Sequence, residues 1–535
     1  YIKSEWIRMG PMDLSDVGYD AFLANGKKEI SWPEIKPGER VRLRIINAGA
    51  STYFYLNLGQ LRHFQVISKD GMEVEPVHVS EILVGMGETY DLVFTMPSEN
   101  MGMEFRATAQ DITGFSHIVL GSGHHIETVP DKIRPSPYKM GDHGGHGGGE
   151  HGNNCHWDDS MNMCMPASCH WDDSMNMCMP SKTSTNDHTG QLHGDEPPDD
   201  EEPPDDDMPT SNRLNYEMLR SPTVTEFDPN LKRHEITLEF TGDMERYTWY
   251  INGKPFSEEK YIPIKYNEVV RFIMVNKTMM HHPMHLHGHF FRILNGQDEY
   301  SPNFHTVDVG PMATVAIEFW ANEPGVWFFH CHNLYHMKMG MARLVKYEDF
   351  EIPDELKEHA NQYERKFITD SSFYPSGEVG VYSNHAEIKA RLNGGRWDVS
   401  LELELDKYDK DTFQGDIMFK RYLSQYLALV GGGEFEDQEL HAILGLAYTM
   451  PLRVEVIAYT RSDGKSVVRL FKSVPIYERI SLDLEPRMSF KDGKTDFEFE
   501  SSLNYQISPR VKVGMFYKDD DKVGRTVGFG IRVRF

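Results

Sequence analysis

The sequence predicts an all-β chain: two Greek-key β-sandwich domains, a disordered Met/His/Cys-rich linker between them, and a C-terminal antiparallel β-barrel. Three observations carry this expectation. A strand-rich segment near the start recurs farther along with the same landmarks. The stretch between the copies is low in complexity and dense in soft side chains and acid. From about residue 366, apolar and polar residues alternate in runs of about ten.

The repeat defines the two sandwiches. NGKKEISWPEIKPGERVRLRIIN (Asn25 to Asn47) resembles NGKPFSEEKYIPIKYNEVVRFIMVN (Asn252 to Asn276). In each, a glutamate (Glu39, Glu268) precedes an alternating β-rich run that ends in asparagine. HFQVI at His63 then parallels HFFRI at His289. Alternation, β-branched residues and Gly/Asn/Pro turns make strands of both copies, and each is the size of a sandwich domain. The expected domains are residues 1–135 and 213–350. The first has STYFYLNLGQ where the second has its histidines, so it is expected to be structural.

Residues 136–212 form the expected linker. It contains HGGHGGGEHG, then CHWDDSMNMCMP twice, then DEPPDDEEPPDDD. The acidic end should be extended and self-repelling. In the tandem repeat, Cys155, His156, Met161, Met163, Cys164 and Met165 recur as Cys169, His170, Met175, Met177, Cys178 and Met179. Such soft donors suit Cu(I). Plain disorder and local disulfides such as Cys155–Cys164 in an oxidising compartment are the competing readings.

The second copy carries the chemistry. In FFHCHNLYHMKMGM (Phe328 to Met341), Cys331, His336 and Met341 offer a thiolate, an imidazole and a thioether. Two histidines, a cysteine and a weak axial methionine make a blue-copper site, so one histidine is missing. HHPMHLHGHFF (His281 to Phe291) supplies it in His282. Alternate residues of a strand share a face, so His330 and His332 project opposite Cys331, where His285 and His287 can join them. Met337 and Met339 compete with Met341 for the axial place.

After a short linker at 351–365, the expected barrel occupies 366–535. RWDVSLELELDKY puts Trp397, Val399, Leu401, Leu403 and Leu405 on one face, and TVGFGIRVRF does the same with Val527, Phe529, Ile531, Val533 and Phe535. Dyad alternation with polar turns is the pattern of transmembrane barrels, with room for roughly 8 to 12 strands here. A soluble sandwich alternates too, but a terminal aromatic closing the last strand favours the barrel.

HPMHLHGH and HCHNLYHMKMGM resemble the third and fourth copper-binding motifs of multicopper oxidases. The LYHM-x-x-GM ending, with His305 in HTVDV, is closer to the copper-resistance protein A branch than to fungal laccases. The C-terminal region resembles copper resistance protein B, an outer-membrane barrel family, without a ligand motif. The resemblance implies that the sandwiches are cupredoxin domains two and three. It implies type 1 copper on His282, Cys331, His336 and Met341, type 2 copper on His285, and the type 3 pair on His287, His330 and His332. Cys331, His330 and His332 would be the catalytic electron path. A complete oxidase of this kind holds four coppers and takes eight histidines for its three-copper cluster. Only four are assigned here, and the remaining H-x-H motifs of a first cupredoxin domain are absent from this sequence.

The expected function follows: an oxidoreductase of copper resistance that oxidises Cu(I), or another one-electron donor, and reduces dioxygen to water. The alternatives are a non-catalytic copper-sequestering protein and a laccase-like phenol oxidase. The expected partners are copper ions, dioxygen, an outer membrane, and a missing first cupredoxin domain or second subunit. The expected place is the periplasm and outer membrane of a Gram-negative bacterium. The 535 residues leave room for about three or four domains. With 82 acidic against 55 basic residues, a formal charge of −27, nucleic acid is not an expected partner. No apolar run is long enough for a transmembrane helix. Tyr1 opens the chain without a signal-peptide pattern, which suggests a fragment or a processed chain.

Overall fold

Strand patterning becomes strand through most of the described residues. The computed structural model describes residues 16–17, 19–59, 63–97, 102–122, 126–127, 213–243, 246–355 and 357, four short strands between 155 and 180, and 366–535 apart from 410–411, 437, 451–452, 478, 509 and 521–523. Two compact units result: Tyr1–Tyr138 with Ser211–Phe535, and Lys139–Thr210.

In the first sandwich, Arg40–Ile46, Thr89–Thr95, Phe64–Lys69 and Met72–Val79 form one sheet. The facing sheet runs Glu29–Trp32, Phe115–Leu120, Gly102–Ala109, Phe54–Leu58, Ile82–Val84. In the second, the sheet that matters for function orders Tyr261–Ile264, Ala342–Tyr347, Val326–Cys331, His282–Leu286 and Thr306–Val309. Sequence-distant strands are neighbours throughout, as Greek-key sandwiches require. One apolar cluster runs through both domains, from Leu56, Phe64 and Leu92 to Phe240, Phe272 and Phe329. The two sandwiches therefore share a core.

The repeat has a structural cause. Asn47 donates its amide to Thr52 O and Val84 O, and its Oδ1 accepts the Gly49 N–H. Asn276 likewise donates to Met280 O, Val309 O and Gly310 O and accepts the Thr278 N–H. Each asparagine ties a strand end to the loop that leaves it, satisfying backbone groups that would otherwise be buried unpaired.

The C-terminal region is a closed barrel of twelve strands, each paired antiparallel to the next, with Tyr374–Tyr382 closing on Gly524–Arg534. Its outer wall is apolar: Leu444 is 74% exposed, Phe529 68% and Phe535 71%. On its inner face Lys389 pairs with Glu402 and Glu485, Arg469 with Glu402, and Lys518 with Glu500. A soluble sandwich buries its apolar face, and this barrel turns it outward.

In the separate unit, two hairpins stand within the stretch expected to lack regular structure. Cys155–Asp158 pairs with Met163–Pro166, and Cys169–Asp172 with Met177–Pro180, in the same register. Met161 and Met175 lie outside the described residues.

Candidate metal centre

Strand register separates the two ligand groups. Where His282–Leu286 pairs with Val326–Cys331, Met284 faces Cys331 and His285 faces His330. Side chains alternate along each strand, so His282 and Cys331 point into the sandwich while His285 and His330 point to its other side. The strand ends after Cys331. Asn333 then caps a short helix, Leu334–Lys338, by accepting the N–H groups of Tyr335 and His336. One turn of helix brings His336 back over Cys331. Gly340 (φ +115°) then turns the chain where a Cβ would lie 2.7 Å from Trp249 O. Met341 N–H donates to His336 O, and Cys331 N–H to Met341 O.

The result is a compact donor set. His282, Cys331 and His336 are fully buried and their ligand atoms lie within 4.8 Å of one another. Nδ1 of His282 and Nδ1 of His336 are 3.1 Å apart, and each is 3.8 Å from Cys331 Sγ. The point equidistant from the corners of that triangle is about 2.1 Å from each, which is metal-bonding distance. Each imidazole is held at its far nitrogen. Thr278 Oγ1, itself bonded to Asn276, lies 2.7 Å from His282 Nε2. Asp16 Oδ1 and Asn333 Nδ2 each lie 3.3 Å from His336 Nε2. Outer contacts of this kind fix the tautomer that offers the other nitrogen to a metal. Trp249 lies against His336 with ring centroids 3.8 Å apart and meets His282 at 5.3 Å.

Of the three methionines, Met341 and Met339 share the core cluster of Cys331, whereas Met337 packs with Phe256, Ala342 and Ile368. The Met339 sulfur already accepts the Thr369 hydroxyl at 3.9 Å. Met341 is fully buried.

The second group also assembles. Ring centroids of His285 lie 4.7, 5.6 and 5.9 Å from those of His287, His330 and His332. Nε2 of His287 is 3.3 Å from Nε2 of His330. His285 Nδ1 bonds His305 O at 2.7 Å and His330 Nδ1 bonds Cys331 O at 2.9 Å, leaving Nε2 of both for other partners. His332 Nδ1 is buried without a hydrogen-bond partner. His332 also packs on the first sandwich, where a Cβ on Gly87 would come within 2.4 Å of its ring.

Electrostatics suit ligation. Burial pushes the imidazoles of His282 and His330 well below their ordinary value and brings His285 down to about 4. Burial also lowers His287 and His332. Neutral imidazole is the ligating form. Burial pushes the Cys331 thiol well up, so a metal must displace its proton.

Sequence reasoning missed the residues behind the ligands: Thr278, Asp16, Asn333 and Trp249. It also missed a buried cluster beside His285. Lys69 Nζ lies 3.1 Å from both Asp70 and Glu88, and Asp70 accepts the N–H groups of His305 and Thr306. Only the repeated asparagine hinted at this support, since Asn276 carries Thr278.

Residues 230–351 and 9–115 match two family models, each described as multicopper oxidase. The copper resistance protein A homolog of Pseudomonas syringae pv. tomato is 33% identical over 363 residues, covering 64% of this chain and 61% of its own. Copper resistance protein A of Escherichia coli is 32% identical over 379 residues, with 64% and 62% covered. Multicopper oxidase MmcO of Mycobacterium tuberculosis is 25% identical over 338 residues, with 63% and 52% covered. The chain thus spans about three-fifths of the length of these copper resistance proteins. Copper is the metal this family implies, and the thiolate–imidazole triangle fits it. Each of the two sandwiches thus matches a multicopper oxidase model, the pair is similar to copper resistance protein A, and a twelve-stranded barrel follows them in this chain.

Proposed function

We propose that this chain belongs to a copper-resistance oxidase that takes electrons from Cu(I) and reduces dioxygen. The observation that carries the reading is the buried triangle of His282, Cys331 and His336. These three, with Met341 as axial donor, would hold type 1 copper. His285 would hold type 2 copper, and His287, His330 and His332 would hold the type 3 pair. The bound coppers would supply one-electron chemistry in which four Cu(I) donors and four protons reduce one dioxygen to two waters. His330 and His332 adjoin Cys331 in sequence, so the shortest covalent route between the two groups runs through the ligands themselves. Trp249, Thr278 and Asn333 exclude water and fix the imidazoles. Four histidines converge on the far side, half of the eight that the family uses. A further cupredoxin domain, in the same polypeptide or in another subunit, would complete the cluster.

The barrel would span an outer membrane, which would place the oxidase domains in the periplasm. Its apolar outer wall and charged interior support this. The paired hairpins of the linker would bind Cu(I), through donors drawn from Cys155, His156, Met163, Cys164 and Met165 and their counterparts in the second repeat.

The test is metal content with optical and electron paramagnetic resonance spectra of the copper-loaded chain, with and without Cys331→Ser. The expected result is one blue copper in the parent and none in the variant. Blue colour that persists in the variant would overturn the ligand assignment. A parent with blue copper but no turnover, even with a further cupredoxin domain supplied, would favour sequestration instead.

A further inference from the structure

We infer that the lead-in to the barrel is a positioning element of the metal triangle, in which Thr369 keeps the Met339 thioether from the axial place and leaves that place to Met341. The inference rests on the proposed type 1 reading of His282, Cys331 and His336. The stretch MKMGM puts three thioethers, Met337, Met339 and Met341, within five residues directly after His336. All three are buried. A methionine side chain is unbranched and adaptable, so nearness in sequence does not choose among them. The choice needs neighbours that occupy the two spare side chains.

Both neighbours come from one short stretch outside the sandwich, Ile368 to Asp370, just ahead of the first barrel strand Tyr374–Tyr382. Ile368 shares a buried apolar cluster with Met337, Phe256 and Ala342. Thr369 donates its hydroxyl to the Met339 sulfur at 3.9 Å and its N–H to Lys338 O at 2.7 Å. One residue thus holds the ligand loop by side chain and backbone together. Asp370 fastens the stretch to the sandwich: it is buried and accepts the Ser257 N–H at 2.7 Å. On its other side the loop is held by the second sandwich, where Trp249 N–H donates to Met339 O and Phe256 N–H to Gly340 O, both at 3.1 Å. Met341 lies instead in the core cluster of Cys331.

The barrel reaches this contact through a second hydroxyl. Tyr374, the first residue of the first barrel strand, donates its hydroxyl to Thr369 Oγ1 at 2.7 Å. Ser372 N–H donates to Thr369 O at 2.9 Å and closes the turn between them. A threonine hydroxyl has one proton to give. With Tyr374 on its lone pair, that proton is free for the sulfur. Hydrogen bonds in series polarise one another, so Tyr374 strengthens the hold of Thr369 on Met339. A thioether is a weak acceptor, and one already engaged by a hydroxyl is the poorer donor to a metal. The series Tyr374, Thr369, Met339 thus ties the first barrel strand to the loop that carries the ligands.

The test compares full-chain variants loaded with copper, by optical and electron paramagnetic resonance spectra and by redox titration of the blue band. Thr369→Val keeps the shape and the N–H bond to Lys338 O but removes the hydroxyl. It is expected to add a second blue species and to change the one-electron equilibrium at least threefold, a midpoint shift of about 30 mV. Tyr374→Phe should move the same readouts the same way by less, and Thr369→Ser should match the parent. The deciding variant combines Thr369→Val with Met339→Leu. With the competing sulfur gone, the parent's spectrum and midpoint should return. A Thr369→Val protein that matches the parent in both would overturn the inference. A change that persists in the double variant would overturn it too, because Thr369 would then act on the shape of the loop and not through the sulfur. A parent that holds no blue copper would overturn the type 1 reading itself and the inference with it.

Discussion

Replacing Lys69 by methionine tests the joint between the two sandwiches beside the second histidine group. Lys69 ends the strand Phe64–Lys69, and its ammonium is fully buried. It meets Asp70 at 3.1 Å, Glu88 at 3.1 Å and the carbonyl of Thr306 at 2.7 Å. Burial alone would lower its pKa, but the two carboxylates outweigh burial and raise it. Methionine keeps the length and removes the charge. Asp70 and Glu88 then remain buried with no cation between them. Breaking a buried pair by removing one partner costs about 3–5 kcal/mol. Both carboxylates have other donors: Asp70 takes two backbone N–H groups across the joint, and Glu88 takes the Tyr216 hydroxyl at 2.6 Å. Those donors keep the loss toward the lower end, about 3 kcal/mol.

That loss should lower the sandwich transition by roughly 6–12 °C for a unit of this size. The assays are calorimetry and denaturant unfolding followed by tryptophan fluorescence. Lys254→Met, which breaks an exposed pair with Glu259, serves as the control and should stay within about 0.5 kcal/mol. Lys69→Met combined with Glu88→Gln removes one stranded charge and should recover part of the loss. A Lys69→Met protein within about 1 kcal/mol of the parent would refute the reasoning, since it would mean that water or a protonated carboxylate already carries the joint.

Two further outcomes are expected. Met341→Leu should keep the blue colour and shift the type 1 reduction potential by ~60 mV or more, a tenfold change in a one-electron equilibrium, while Met339→Leu should leave it in place; redox titration of the blue band decides between them. Metal-free protein should lose stability as pH falls from 6.5 toward 4, because unfolded His285 binds a proton in that window and buried His285 does not. The loss is on the order of 3 kcal/mol from His285 alone, with His282 and His330 adding to it, and a flat unfolding profile across that window would contradict the burial argument.

The grouping of the donors was legible in the sequence because strand period is fixed. Once Val326–Cys331 is a strand, His330 and Cys331 must point apart, and spacing alone sorts the donors into two groups. The supports were not legible, because they come from far away in the chain. Asp16 meets His336, and Lys69 meets Thr306, only after both sandwiches have folded on a shared core. Alternation from Trp397 to Asp406 likewise announced a strand with two unlike faces. It did not say which face would turn inward, and closure with Asp398, Glu402 and Glu404 inside decides that. The strand count fell at the upper end of the expected range. The tandem CHWDDSMNMCMP repeat gave donors without a fold, and equal repeats became equal hairpins.

The barrel docks on the end of the second sandwich that holds the metal triangle. Thr369 donates its N–H to Lys338 O at 2.7 Å and its hydroxyl to the Met339 sulfur. Asn393 donates to Arg246 O and Gln425 to Gly242 O, and the Arg246 guanidinium lies 3.7 Å above the Tyr422 ring. Arg396 binds Glu258, and Asp370 accepts the Ser257 N–H. These contacts flank Trp249, whose backbone N–H donates to Met339 O and whose ring covers His336. The opposite side of the ligand helix is taken by the first sandwich, where Ala50 O accepts the Leu334 N–H. His336 is left with no exposed surface. A bulky phenol cannot stack on an imidazole so enclosed. The acidic and thioether groups around it, Asp16, Met339 and Met341, are buried as well. The enclosure thus bars a bulky donor from direct contact with this imidazole.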